Sequence, residues 1–163
     1  MAKNKEEKTN VMRVLEQKKI AYTAHTYPHE EGVAVDGVTV AQSMGFDPAV
    51  VFKTLVARGA SKQYYVFDVP VAANLDLKKA AKAVGEKSIE MLHQKELLPL
   101  TGYVHGGCSP VGMKKLFPTV FHSSAENLAA MIVSAGKIGC QVELAPHDLA
   151  ALVRAKFADI TVE

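Results

Sequence analysis

The sequence predicts an α/β protein of the α+β type, with a mixed, mostly antiparallel, curled and barrel-like sheet and helices packed around it. Three observations lead there. Residues 50–57 and 63–69 are rich in β-branched and aromatic side chains and are joined through Gly59 to Lys62, the pattern of a β-hairpin. A second pair of apolar runs, 131–134 and 140–144, is linked through Gly136 and Gly139. Helix-period segments are interspersed among the strands instead of gathered in one block, which favours a single mixed layer structure.

Taken in order, Thr9 or Asn10 caps a first helix whose face carries Val11, Val14 and Leu15 and which ends near Ile20. A strand over 21–27 stops at Pro28, and 28–37 is a loop bearing Glu30, Glu31 and Asp36. A short helix over 38–44 ends at Gly45, the residue that most readily takes the left-handed cap, and Asp47-Pro48 restarts the chain. After the first hairpin, Asn74 or Asp76 opens a helix through Leu77, Ala80, Ala81 and Val84 that Gly85 closes, with Lys78, Lys79 and Lys82 on one side. A short strand is expected over 88–92, a helix over 94–98 stopped by Pro99, and strands over 119–122, 131–134 and 140–144. A helix over 148–156 and a strand over 157–162 close the chain.

Composition narrows the function. With 163 residues, 48% hydrophobic and 22% charged, the chain suits one domain that buries its own core, residues 1–8 forming a flexible N-terminus. The longest wholly apolar run, 128–133, falls far short of the roughly 18 residues a membrane span requires, and the opening residues resemble no signal or transit peptide. A cytoplasmic location is expected, with no membrane partner. Cys108 and Cys140 lack paired ligand spacing, so neither a disulfide framework nor a metal site is expected, and no cofactor is called for. A formal charge of +2 is too weak a field for tight, unaided binding of nucleic acid.

Lys53 is the most informative single residue. Strand alternation puts Val51, Lys53 and Leu55 on one face and Phe52, Thr54 and Val56 on the other, so an ammonium lies in an otherwise apolar strand. Such a charge needs a partner or an opening to water. A substrate pocket provides one, and an edge strand from which the lysine reaches solvent is the equal alternative. Gly106-Gly107-Cys108-Ser109-Pro110 forms a turn whose backbone N–H groups can approach a ligand oxygen, although most such turns are only turns. Cys108, three residues after His105, reads better as a small buried filler than as a nucleophile. Ser134 precedes the glycine hairpin and is either a pocket residue or a turn residue.

Five segments, His25-Thr26-Tyr27, Phe52 to Val56, Asn74 to Lys82, Gly102 to Pro110 and Val133 to Lys137, together resemble the YbaK/EbsC family, within the editing-domain superfamily associated with prolyl-tRNA synthetase. The resemblance runs from the first helix to the final strand. It implies the YbaK/aminoacyl-tRNA editing domain fold and a deacylase that cleaves cysteine from mischarged Cys-tRNA(Pro), with Cys-tRNA(Cys) as a further candidate substrate, as a trans-editing step in translation fidelity. It implies that Lys53, Thr54, Tyr27, Gly106 in the G-x-x-x-P turn and Ser134 line one pocket for the 3′ end of an aminoacyl-tRNA; within it Lys53 and the N–H groups of Gly106 and Gly107 are the expected catalytic groups, Tyr27, Thr54, Ser109, Pro110 and Ser134 the expected substrate-binding ones, and the weak net charge points to prolyl-tRNA synthetase as partner. On the family view the substrate thiol attacks its own ester. Ile138, where the family often has a basic residue, and Cys108, in place of an aliphatic one, are departures. The alternatives are an editing hydrolase for another amino acid, such as alanine on proline tRNA, and a binding module for tRNA or synthetase without catalysis.

Overall fold

The computed structural model describes residues 8–30 and 32–162. The expected flexible N-terminus lies outside the described residues except for Lys8, whose ammonium pairs with Glu16 at 2.8 Å. Helix α1 (Asn10–Gln17) is capped by the Thr9 hydroxyl and buries Val11, Met12 and Leu15. It stops at Gln17, short of Ile20, because Lys19 turns left-handed and the chain reverses, with the Ile20 N–H donating to Leu15 O. Strand β1 (Thr23–Thr26) leads to α2 (Gly37–Ser43), which the Asp36 carboxylate caps, and then to a 3-10 turn over Pro48–Val50.

Strands β2 (Phe52–Gly59) and β3 (Tyr64–Pro70) form the expected antiparallel hairpin, and α3 (Leu77–Val84) runs from the Asp76 cap to a left-handed Gly85. Strand β4 (Ile89–Met91) pairs only with residues 57–59 of β2, leaving the first half of β2 uncovered on that side. Helix α4 (Gln94–Thr101) passes through Pro99 instead of stopping there. The N–H that proline lacks would have met the carbonyl of Lys95, and both residues are exposed, so water replaces that bond at little cost. Gly102, left-handed, ends the helix.

The remaining elements are β5 (Thr119–His122), β6 (Met131–Lys137), β7 (Cys140–Leu144), α5 (Pro146–Val153) and β8 (Lys156–Ala158). Helix α5 ends early because Arg154 turns left-handed, which starts β8 sooner than expected, and among the described residues beyond Ala158 the β-pairing is the isolated bridge Thr161 to Leu75.

Two sheets result, β1-β7-β6 and β4-β2-β3-β5-β8, joined where Val51 bridges Ile132. The smaller is antiparallel throughout, whereas β5 runs parallel to both β3 and β8, so the larger sheet is mixed more evenly than expected. The main core lies between the sheets, where Phe52, Val56, Val66 and Phe121 meet Met131, Val133 and Val142, with α1 and α5 closing it. The other face of the large sheet packs Phe67 and Val69 against Ala80 and Ala81 of α3. Helix α2 covers the junction of the sheets through Ala41, which meets Val51, Val71 and Ile132. An opening remains beside that junction.

Candidate active site

The opening is a cavity of about 400 Å³ at the uncovered half of β2, with α2, the 105–108 turn and the β6–β7 pair around it. Tyr27, Lys53, Thr54, Gly106 and Ser134 all line it, so the structure brings together five residues that are scattered along the chain. Ser109 and Pro110 are buried behind the wall and do not line it. Ser109 instead accepts a hydrogen bond from the Val111 N–H at 3.3 Å, which holds the turn.

Lys53 is partly exposed and is the one Lys or Arg side chain lining the cavity among the described residues. Among the described residues its ammonium has no hydrogen-bond or ion-pair partner, and the acidic side chain lining the same cavity, Asp36, is engaged in capping α2. Both readings of the sequence meet here: β2 is locally an edge, and its edge is the wall of a pocket. A site of this kind suits an oxygen-rich, polar substrate group.

The glycine turn divides its labour. Gly106 adopts φ +88°, and a Cβ there would come within 2.7 Å of the Ala34 side chain, so only glycine lets the turn close on the 34–37 segment. Among the described residues the Gly106 N–H has no internal acceptor. Gly107 differs from its expected role, because its N–H donates to Val104 O at 3.0 Å and the residue does not line the cavity. What Gly107 supplies is closeness: a Cβ would meet the backbone of Lys137 and Ile138 at 3.0 Å. Tyr103 braces the same turn by donating its hydroxyl to Val111 O.

Cys108 touches the cavity but is a poor nucleophile. Burial, reinforced by the Asp68 carboxylate and only weakly opposed by the Thr101 hydroxyl, pushes its thiol up to about 12, so thiolate is negligible at neutral pH. Packing is its role.

Two polar residues at the site escaped the sequence reading. Gln141, on β7 opposite Ser134, is buried, lines the cavity and leaves its Oε1 without a hydrogen-bond partner among the described residues. Asp68, on β3 opposite Thr54, is fully buried and accepts the Thr54 hydroxyl at 2.5 Å through Oδ1, while Oδ2 has no hydrogen-bond partner among the described residues. Burial pushes the Asp68 carboxyl up to about 7 against the opposing hydrogen bond from Thr54. The signal was available: Asp68 is the one charged residue in Tyr64–Pro70, and the hairpin register sets it across from Thr54.

Comparison with known proteins identifies the family. A family model described as "Aminoacyl-tRNA editing domain" matches residues 32–152, which span the cavity's α2, β2, turn and β6–β7 walls. A protein of Enterococcus faecalis (strain ATCC 700802 / V583), named "Putative Cys-tRNA(Pro)/Cys-tRNA(Cys) deacylase EbsC", is 46% identical over 164 residues, covering 100% of this chain and 99% of that one. A solved structure described as a "putative trans-editing enzyme for prolyl tRNA synthetase" superposes with TM-score 0.80 at 24% identity, over 97% of this chain and 100% of that one. The hypothetical protein APE2540 superposes with TM-score 0.82 at 18% identity, over 93% of this chain and 99% of that one. These two likenesses are of fold. With a family model matching residues 32–152 and a full-length relative at this identity, the chain belongs to the aminoacyl-tRNA editing domain family.

Proposed function

We propose that this protein is a trans-editing deacylase that hydrolyses the ester of Cys-tRNA(Pro), and of Cys-tRNA(Cys), with the cavity holding the aminoacyl-adenosine end. The observation that carries the reading is the convergence of an unpaired ammonium, Lys53, and an unused backbone donor, Gly106, on one cavity whose Cys108 thiol burial holds protonated. An enzyme so built orients and polarises an ester whose attacking group comes with the substrate. A cysteinyl ester brings a thiol, which at an ordinary pKa of about 8.5 is a few per cent thiolate at neutral pH.

In this mechanism the sulfur attacks the ester carbonyl and the carbonyl oxygen becomes negative. The Gly106 N–H receives that charge; one such donor is commonly worth about 10²- to 10³-fold in rate. The C–O bond to the ribose then breaks, the Lys53 ammonium protonating the leaving oxygen. A cyclic thioester departs and opens in water. Tyr27, Thr54 and Ser134 hold the ester in the attack geometry. Ser109, Pro110 and Gly107 act from behind the wall by fixing the turn. Prolyl-tRNA synthetase is the proposed partner, supplying phosphate contacts that a net charge of +2 does not.

Deacylation of Cys-tRNA(Pro) tests this directly. Lys53→Ala should lose about 10²-fold or more in rate, and Cys108→Ala should retain most activity. Ser-tRNA(Pro) and Ala-tRNA(Pro) should be cleaved far more slowly, since a hydroxyl is scarcely ionised and a methyl cannot attack. Preferred cleavage of Ala-tRNA(Pro), or no cleavage of any ester, would replace this reading with the neighbouring editing specificity or with a binding module.

A further inference from the structure

Self-attack leaves the proton of the substrate thiol without an acceptor, and the structure leaves a buried carboxyl without a use. Asp68 is sealed inside β3, and Thr54, whose hydroxyl donates to Asp68 Oδ1 at 2.5 Å, stands between that carboxyl and the cavity. A threonine that gives its only proton to a carboxylate presents oxygen lone pairs elsewhere as acceptors. We propose that Asp68 is a positioning residue that acts through Thr54, taking the Thr54 hydroxyl proton so that the Thr54 oxygen can take the proton of the substrate thiol. The proposal rests on the self-attack reading of the preceding section.

The step balances. The substrate S–H bond breaks and its proton joins Thr54 Oγ1, as the original Thr54 proton passes to Asp68 Oδ1. The electron pair left on sulfur forms the S–C bond, and the C–O pair leaves with the ribose oxygen, which takes a proton from Lys53. Exchange with water then returns a proton to Lys53 and removes one from Asp68.

The geometry favours this pair for a physical reason. Residues 51 and 71, and 59 and 63, are backbone-bonded pairs of the hairpin, so the alternating 54 and 68 pair is of the type without backbone bonds, in which side chains come closest. Burial also pushes Asp68 up to about 7, which makes it a stronger base than a surface carboxylate while leaving it substantially ionised at neutral pH. The groups around it do not compete. Cys108, from the turn, stays protonated; Phe121, its neighbour on β5, does not titrate; Lys53, next to Thr54 on β2, alternates to the other face of the strand.

The test is the pH dependence of single-turnover deacylation by the whole chain, using Cys-tRNA(Pro) and S-methylcysteinyl-tRNA(Pro). The wild-type rate on Cys-tRNA(Pro) should fall about tenfold per pH unit below about 7. Asp68→Asn should lose that limb and be slowed about 10²-fold at pH 7.5. Thr54→Ser should keep the limb, Thr54→Val should lose it, and the double variant Asp68→Asn with Thr54→Val should be no slower than either alone. An Asp68→Asn or Thr54→Val enzyme that keeps the wild-type limb overturns the relay. Should Asp68→Asn not fold, Thr54→Val carries the same decision. The S-methyl ester separates the underlying reading: it has no thiol proton, and wild-type enzyme should leave it intact. Rapid cleavage of that ester overturns self-attack itself, independently of what the variants do.

Discussion

Asp68 shows how a single residue can trade stability for chemistry. An ordinary aspartate ionises near 3.8, and in the fold this one does so near 7. Between those values the native chain holds a proton that the unfolded chain has released, so burying this carboxyl costs nothing extra below 3.8, costs progressively more from 3.8 to about 7, and reaches a constant penalty above that. Three pH units correspond to roughly 4 kcal/mol at full ionisation. Asp68→Asn should therefore be more stable than wild type at pH 8, by an amount on the order of a few kcal/mol, with the difference shrinking towards pH 5. Urea unfolding at the two pH values decides; a difference that does not change with pH would mean that the carboxyl does not titrate in this range. Lys53 illustrates the opposite side of sequence reading, because its oddity was visible in an apolar strand whereas its surroundings were not. Whether an unpaired ammonium faces bulk water or a pocket depends on α2 and the 105–108 turn, which are remote in sequence.

At the scale of elements, the glycine turn and the β6–β7 hairpin work as one unit. Gly107 lies so close to Lys137 and Ile138 that any side chain there presses on backbone, which cannot swing aside as a flexible side chain could. Gly107→Ala should cost about 1–3 kcal/mol of stability, typical of forcing extra atoms into a packed site, and should lower deacylation by moving Gly106 away from the cavity. Thermal unfolding together with kcat on Cys-tRNA(Pro) checks this, and unchanged values of both would mean that the hairpin yields freely. The elements that could be read beforehand are those with local causes: the β2–β3 hairpin, the Asp76 cap of α3 and the glycine stops at 45 and 85. The errors also have causes. Pro99 is tolerated because the carbonyl it deprives is in an exposed stretch, and Lys19 and Arg154 take left-handed positions where a glycine would have announced the end of a helix. The parallel pairing of β5 with β3 and β8 joins segments separated by long stretches of chain, and no local pattern encodes such pairing.

For the whole molecule, the question is how a small protein of formal charge +2 engages a large polyanion. Phosphate neutralisation dominates nucleic-acid affinity, and a weakly charged surface leaves most of that energy unused. Of the three lysines on α3, Lys79 is already engaged within the fold, by Asp159 at 3.1 Å and by Thr161 O at 2.9 Å. On the proposed function, the cavity, lined by one lysine, would take the aminoacyl end and not the tRNA body. With prolyl-tRNA synthetase as the proposed partner, already gripping the acceptor stem, the local concentration of the correct ester would rise without any change in the chemistry. Adding the synthetase should lower KM for Cys-tRNA(Pro) by about tenfold or more and leave kcat and the Lys53 dependence unchanged. Cys-tRNA(Cys), which that synthetase does not hold, should show no change. Steady-state kinetics on both substrates, with and without synthetase and across a salt series, provide the measurement. Identical KM values for Cys-tRNA(Pro) in the two conditions would mean that this chain finds its tRNA unaided, and would move the search for phosphate contacts back to its own surface.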